Sequence, residues 1–554
     1  MKKVLCLLLT IVMMFSLIGC GEKQKPTTES LPSTDNKENT DVSENVNNGE
    51  DRAMEGNMYL EGFPIVKEPI TIKVAAIDWW NSENYATLQT PKEYEEITNI
   101  HVEWQHITSP EQLNLIFAGV DNLPDLFLFL DYDKINELGK DGQLLAVQDL
   151  IKDYAPNVQK MLDKEPIAKK LCTAIDGNMY IIPSMFMSPG EMLRGNTYIN
   201  REWLEKLNLE MPTNVDEFYE VLKAFKDGDP NGNGKKDEIP LSLLWDNDLY
   251  GICSLFGPWG VTSSTFGPLF AKDQKEIIVS VMQPEYKDAI KYFHKLFKEG
   301  LLDQESFTQD HDKYQAKVSA TVERETIIVG ASNGYAPINP GDRDLEDSIY
   351  TMVKPLEGPK GKHHFVPVGA GIFTNNYMSA DTKYPKEIMR WIDGIADSET
   401  SFIWNNGPEG IFWERNAEGK IEFIQGVEEL SSDYAFRLPI MGVYSEWYNN
   451  NVVFIKGDQL KTDVIEVVKP IGDQYVLDSK RTGNIPLQFN NEQEDFIATY
   501  YTDISQFCKN KEAEWIMQGG IDEQWDDFQK QLKKMKIDEL KDIYQKALDE
   551  WSKK

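Results

Sequence analysis

Between residues 70 and 130 the chain alternates strand-like and helix-like segments, and this alternation restricts the fold more than any other feature. Ile70-Thr-Ile-Lys-Val-Ala-Ala-Ile77 reads as a strand and breaks into Asp78-Trp79-Trp80-Asn81. His101 to Ile107 alternates with period two, as a half-buried strand does. Asp125-Leu-Phe-Leu-Phe-Leu130 is uniformly apolar, the pattern of a strand covered on both faces, and it ends at Asp131-Tyr132. Between these runs Thr90–Thr98 and Pro110–Val120 read as helices. Strand, helix, strand, helix, strand predicts a largely parallel sheet clothed by helices. The alternation continues downstream. Thr213 is the expected N-cap of a helix whose Val215, Phe218, Leu222 and Phe225 share one face. Pro284–Glu299 repeats the pattern before Gly300, Thr326–Gly330 reads as a short buried strand, and Leu532–Trp551 as one surface helix. The class is α/β.

The sharpest chemical signal is the loop Asp229-Pro-Asn231-Gly-Asn233-Gly234-Lys235-Lys-Asp237-Glu238. Side-chain oxygens fall at loop positions 1, 3, 5 and 9, with glycine at position 6 and the Lys235 carbonyl at position 7. That is the spacing by which an EF-hand-type loop surrounds Ca²⁺ with hard oxygens. The bidentate Glu of position 12 is missing, since Pro240 stands there, and the neighbouring Glu238 is the expected substitute. Expected ligands are therefore Asp229, Asn231, Asn233, Lys235, Asp237 and Glu238. The role is structural, because no water-activating partner adjoins the loop. The alternative is a polar turn, in which Asn and Gly are favoured for backbone reasons alone.

At the other end of the chain, Lys2 and Lys3 precede an apolar stretch from Val4 to Ile18. Fifteen helical residues reach about 22 Å, less than the ~30 Å hydrocarbon core, so this is a signal peptide rather than a permanent span. It closes on Leu17-Ile18-Gly19-Cys20, similar to the bacterial lipobox, which makes Cys20 the lipidated N-terminus and residues 1–19 the removed signal. Residues 21–58 carry 9 acidic and 4 basic side chains and few large apolar ones, so they cannot bury a core and read as a tether. The body beyond is extracytoplasmic. The whole chain carries a net charge of −34 at pH 7, which argues against nucleic acid, whose phosphates need a basic face, and equally disfavours adsorption to an anionic membrane surface. Once Cys6 is cleaved off and Cys20 acylated, Cys172, Cys253 and Cys508 remain, an odd, widely spaced set expected to be buried thiols.

Several ordered motifs then resemble one family. Asp176-Gly-Asn-Met-Tyr180-Ile-Ile-Pro183 is similar to a segment of the extracellular solute-binding proteins of carbohydrate ABC transporters. Tyr198-Ile-Asn-Arg201-Glu-Trp203-Leu-Glu-Lys-Leu207, Pro212-Thr213 and the Asp229–Glu238 loop resemble the large lipoprotein branch that includes alginate-oligosaccharide-binding proteins. Trp404-Asn-Asn-Gly407-Pro-Glu409-Gly410 is similar to a late segment of that branch. The resemblance implies a two-lobed periplasmic-binding-protein-like fold (type II) that clamps its ligand in a hinged cleft, with structural Ca²⁺. It implies lobe 1 at 59–188 plus 327–372 and lobe 2 at 189–326 plus 373–554, with crossings near Ser184–Arg194, Thr326–Asn333 and Gly369–Asn375. The protein is then a monomeric, membrane-tethered receptor that hands an oligosaccharide to permease subunits. Cleft residues are expected at the C-terminal strand ends: Asp78, Trp79, Trp80, Asn81, Asp131 and Tyr132. Trp259, Tyr335, Trp404 and Trp447 are added as aromatic platforms, with Tyr448 a weaker candidate. Aromatic faces suit the C–H face of a pyranose and Asp or Asn its hydroxyls; core packing is the alternative for each aromatic. The acidic body argues for a neutral sugar.

Two other readings stay open. A lipid-anchored polysaccharide-degrading enzyme would need paired carboxylates, which 91 acidic residues cannot single out. HExxH and GxSxG are both absent, and His363-His364 makes no ligand spacing. A binder of peptides or another small solute on the same scaffold is the third reading.

Overall fold

The computed structural model describes residues 52–77, 85–119, 123–130, 134–187, 196–247, 251–272, 275–318, 327–334, 349–361, 372–424, 442–444, 451 and 487–553. Its strands are β1 (Met54–Glu55), β2 (Met58–Tyr59), β3 (Ile70–Ile77), β4 (Ile100–Ile107), β5 (Leu126–Leu128) and β6 (Ile182–Met187). Then come β7 (Asn196–Asn200), β8 (Ile239–Ser242), β9 (Leu269–Lys272), β10 (Glu276–Val279), β11 (Val329–Gly334) and β12 (Tyr350–Met352). β13 (Ile372–Met378), β14 (Trp413–Arg415), β15 (Ile421–Phe423) and β16 (Gly442–Tyr444) complete the set.

Two sheets carry the architecture. The first is six-stranded in the order β16-β6-β13-β5-β3-β4, the second four-stranded in the order β12-β7-β11-β8. In the first sheet β3 runs parallel to both β4 and β5, as the alternation predicts. The central strand β13 is antiparallel to β5 and β6, which leaves β6 parallel to β3. Each sheet has its own apolar core. One runs from Met58 to Ile182 and resumes at Tyr377–Trp404. The other runs from Tyr198 to Leu356 and resumes at Ile504–Leu540. The architecture is thus two α/β lobes.

The pairings correct the expected lobe boundaries. β11 and β12 lie in the second sheet, and β13 and β16 in the first, so the described parts of 327–361 belong to lobe 2 and β13 and β16 to lobe 1. An apolar strand reads alike in either sheet. β11 joins lobe 2 because it pairs antiparallel with β7 and parallel with β8. The first crossing falls between β6 and β7 as expected, whereas Thr326–Asn333 is no crossing. The return to lobe 1 lies between residues 361 and 372.

Helix ends show smaller differences. The helix Val215–Asp227 is capped by Asn214, whose side chain accepts from the Asp216 and Glu217 amides, not by Thr213. Thr213 bonds the Glu217 carboxylate instead, at 2.7 and 2.8 Å. The face Val215, Phe218, Leu222 and Phe225 is buried as read. The expected single helix 532–551 is two, Ile521–Lys534 and Ile537–Lys553. They are parted at Lys536, whose backbone takes φ +74°. The 28-residue helix Asn491–Gln518 before them has no strong apolar stripe in the sequence. It is locked into lobe 2 by the buried Glu512, which accepts from Ser263 Oγ at 2.6 Å, the Ser264 amide at 2.7 Å and the Tyr286 hydroxyl at 2.7 Å. Cys172, Cys253 and Cys508 are buried, and none is in a disulfide among the described residues. Among the described residues no helix is long and apolar enough to cross a membrane.

Candidate functional site

The register of both sheets brings their C-terminal strand ends to shared edges. In lobe 1 the parallel strands β3, β4 and β5 finish at one edge, and β6 ends there too. Beyond that edge Phe129 adopts φ +58°, a conformation costly for a bulky side chain. It is held there by Asn376 Oδ1, which accepts the Phe129 amide at 3.0 Å, while Asn376 Nδ2 donates to the Ile182 carbonyl at 3.1 Å. The Leu130 amide is fixed by the Asn375 carbonyl at 2.9 Å. The crossover strand β13 therefore sets the direction in which the chain leaves β5. Sequence reasoning passed over Asn375 and Asn376, although two adjacent amides inside an apolar strand are a legible sign of buried polar duty.

In lobe 2 the parallel strands β8 and β11 end at Ser242 and Gly334, and the antiparallel β7 starts beside Gly334 at Asn196. A small, open pocket lies at this edge, lined by Asn196, Thr197, Ser254, Leu255, Pro258 and Val353–Leu356, Lys354 among them. Asn333 organises its floor. Its Oδ1 accepts from Thr197 Oγ1 at 2.7 Å, and its Nδ2 donates to the Gly251 carbonyl at 2.6 Å and to Ser254 Oγ at 3.1 Å. One wall depends on Gly358, where a Cβ would stand 1.7 Å from the Pro258 carbonyl oxygen. From Met187 to Asn196 is nine residue steps, which span at most about 32 Å when extended. The two C-terminal edges thus sit at either end of one short crossing.

The predicted ligand residues fare unevenly. Asp78, Trp79, Trp80, Asn81, Asp131, Tyr132, Tyr335, Trp447 and Tyr448 lie outside the described residues, as does Cys20. Trp259 ends the short 3₁₀ helix Cys253–Trp259, directly after the pocket-lining Pro258. It is partly buried, with its ring against Tyr292 at 5.1 Å and Phe293 at 5.9 Å. Trp404 is a core residue and not a platform. It is 3% exposed and meets Tyr94 and Trp391 edge-on at 5.4 and 6.0 Å, because the helix Ser398–Asn406 turns that face into lobe 1.

The Asp229–Glu238 loop lies at the opposite, N-terminal edge of the second sheet, where β8 begins at Ile239. Positive φ at Asp229, Gly232 and Gly234 winds it tightly. The Gly234 amide donates to the Asp229 carboxylate at 3.1 Å, the Asn233 amide to Asn231 Oδ1 at 3.0 Å and the Lys235 amide to Asn233 Oδ1 at 2.7 Å. Asn231 and Asn233 both turn their Nδ2 groups to Asp237, at 3.2 and 3.1 Å. One oxygen of Glu238 is buried without a hydrogen-bond partner. Burial, then the charges of Asp237 and Asp229, hold its carboxyl above the ordinary range. Three carboxylates, one of them with an unsatisfied buried oxygen, and two amides suit a hard divalent cation. Among the described residues, however, no three His, Cys, Asp or Glu side chains converge as ion ligands, so the fit depends on the Asn oxygens and the carbonyl. The loop also binds its surroundings: Asn231 Nδ2 donates to the Ile327 carbonyl at 3.2 Å and Lys206 Nζ to the Pro230 carbonyl at 2.9 Å.

Comparison with known proteins agrees with the two-lobed fold. Residues 79–399 match the family described as bacterial extracellular solute-binding protein. Over 490 residues the chain is 28% identical to the fructooligosaccharide ABC transporter substrate-binding protein FusA of Streptococcus pneumoniae serotype 4, covering 82% of this chain and 86% of that one. A solved structure of the S. pneumoniae FusA EF-hand mutant with fructo-nystose superposes with TM-score 0.72 at 26% identity, over 87% of this chain and 99% of that one. An extracellular solute-binding protein from Bifidobacterium longum subsp. infantis gives TM-score 0.73 at 25% identity, over 87% of this chain and 98% of that one. Alginate-binding protein AlgQ2, at 22% identity over 87% of this chain and 99% of that one, shares the fold with TM-score 0.67.

Proposed function

The chain belongs to the bacterial extracellular solute-binding proteins, and from that premise we propose that it is the oligosaccharide receptor of an ABC importer. It captures its ligand between the C-terminal strand edges of the two lobes and passes it, unchanged, to membrane permease subunits. The observation that carries this reading is the pair of C-terminal strand edges joined by the short crossing after β6, with a small pocket of mixed apolar and polar lining on the lobe 2 side. On the lobe 1 side the ligand contacts are assigned to Asp78, Trp79, Trp80, Asn81, Asp131 and Tyr132, which follow the ends of β3 and β5. From lobe 2, Trp259 supplies an aromatic edge; Tyr335 and Trp447 complete the set. Capture requires no catalytic group. Cys20 carries the lipid, which holds a monomeric body at the outer face of the membrane. Ca²⁺, held by Asp229, Asn231, Asn233, the Lys235 carbonyl, Asp237 and Glu238, braces the starts of β8 and β11.

Neutral oligosaccharides are the favoured ligand class because the body is acidic, and fructo-oligosaccharides head the candidates through the relationship to FusA. Lys354 in the pocket wall favours a uronate oligosaccharide as the second reading. The test is a thermal-shift panel of fructo-, manno-, galacto- and uronate oligosaccharides and short peptides, with reaction products assayed in parallel. A ligand at about 100 times its dissociation constant raises stability by about 2.7 kcal/mol. A shift with peptides alone, or accumulation of cleaved sugar, would overturn the proposal.

A further inference from the structure

Large apolar side chains left in solvent are few and unevenly placed. Among the described residues they are Met54, Leu60, Phe63, Ile97, Leu115 and Ile175, at 39, 41, 45, 48, 73 and 53% exposure. Leu115 and Ile175 stand singly, as is ordinary on a protein surface. The other four gather on one structure. Met54, Leu60 and Phe63 belong to the first described segment of the chain. Ile97 is on the last turn of the helix Gln89–Thr98, whose Thr98 carbonyl accepts the Ile65 amide at 3.0 Å.

This segment is clamped from behind and presented outward. Met58, Ile65 and Val66 are buried plugs in the lobe 1 core. Asn57 and Glu68 exchange two hydrogen bonds, at 2.7 and 2.8 Å. Arg52 lies 3.7 Å over the Tyr59 ring and donates to the carbonyls of Phe63 and Pro64. Arg390 donates to the carbonyls of Tyr59 and Gly62, and Lys386 pairs with Glu55. All five residues from Leu60 to Pro64 are exposed, the Phe63 ring keeping one edge contact with Tyr94 at 6.1 Å. Arg52, Arg390 and Lys386 are engaged by carbonyls, a ring or a carboxylate, and the loop itself carries the exposed Glu61, so these groups lend it no ionic attraction to an anionic surface.

The place of the patch decides its partner. Arg52 lies 32 positions after Cys20, a coil length of about 30 Å root-mean-square. A surface within that reach experiences a high effective concentration, so a patch too weak to bind from solution can remain engaged. Repulsion between two chains each of net charge −34 opposes a second copy, and an anionic leaflet repels the same charge, so the bilayer is favoured by tethered proximity and not by electrostatics. The bilayer that holds the lipid is always within reach. We propose that Met54, Leu60, Phe63 and Ile97 rest in the interfacial region of that bilayer and set how the receptor stands on the membrane. The proposal rests on lipidation of Cys20.

The test uses the full-length lipoprotein in vesicles of phosphatidylcholine with a minor share of phosphatidylglycerol. Leu60→Cys and, separately, Leu115→Cys carry an environment-sensitive dye; Cys172, Cys253 and Cys508 are buried and escape labelling. Shallow doxyl-lipids should quench the label at 60 several-fold more than the label at 115, and adding Phe63→Glu and Met54→Glu should abolish the difference. Equal quenching at both positions in protein that floats with the vesicles overturns the patch alone. Quenching at 60 only when permease is present overturns it in favour of a protein partner, and a dimer in sedimentation with loss of lipid quenching does so in favour of self-association. Failure to float, with unmodified Cys20 by mass spectrometry, overturns the lipoprotein reading and the patch with it.

Discussion

At Asp393 burial and hydrogen bonding act in opposite senses. The carboxylate, on the helix Pro385–Ala396, caps the start of the helix Pro156–Lys164 by accepting the Asn157 and Val158 amides at 2.7 and 3.0 Å. Those bonds and the nearby Arg390 favour the charged form, yet desolvation outweighs them and pushes the pKa to about 6. A carboxyl whose pKa is raised on folding binds its proton more tightly in the native state. Its contribution to stability is therefore complete below about pH 4 and is lost as pH rises through about 6. The slope in that window is at most about 1.4 kcal/mol per pH unit. Asp393→Asn keeps an oxygen for the two amides and removes the ionisation. Denaturant titrations between pH 4 and 7 should show a flatter stability profile for the variant than for the parent; parallel profiles would contradict this account.

At the scale of elements, the Asp229–Glu238 loop and the pocket occupy opposite ends of the second sheet. β8 has four residues, so about 13 Å of strand separates them. A cation in the loop would neutralise Asp229, Asp237 and Glu238 and fix the start of β8, with Asn231 extending the effect to Ile327 beside β11. It would not touch the sugar. Chelation should accordingly lower the melting temperature by several degrees and be reversed by added Ca²⁺, with Asp229→Ala insensitive to both. Oligosaccharide affinity measured well below the melting temperature should change little. An affinity that collapses on chelation while the melting temperature stays put would place the ion in the ligand site instead.

For the molecule as a whole, the chain passes from lobe 1 to lobe 2 after β6, returns before β13 and leaves again after β16. With separate cores on either side, bending these connections costs little packing, and a ligand that touches both edges only in the closed form shifts the population toward closure. The lobes also meet away from the pocket. Lys170 lies 4.7 Å over the Trp551 ring, and Gln488 donates to the Thr173 carbonyl. Small-angle scattering of the body should show a smaller radius of gyration with a saturating oligosaccharide than without. An unchanged radius at full occupancy would speak against a hinge.

What could be read from the chain was what local physics dictates. The period-two and fully apolar runs that became β3, β4 and β5 were legible because burial face and backbone geometry repeat within a few residues. The apolar face from Val215 to Phe225 and the oxygen spacing from Asp229 to Glu238 were legible for the same reason. Partner choice was not. An apolar strand such as β11 carries no mark of the sheet it will join, so the lobe membership of β11 and β13 waited on pairings with residues more than a hundred positions away. The same distance hid Trp404 among the core aromatics, Asn333 beneath the pocket and Glu512 as the anchor of the last long helix, since each acquires its role from side chains that only the folded chain brings within reach.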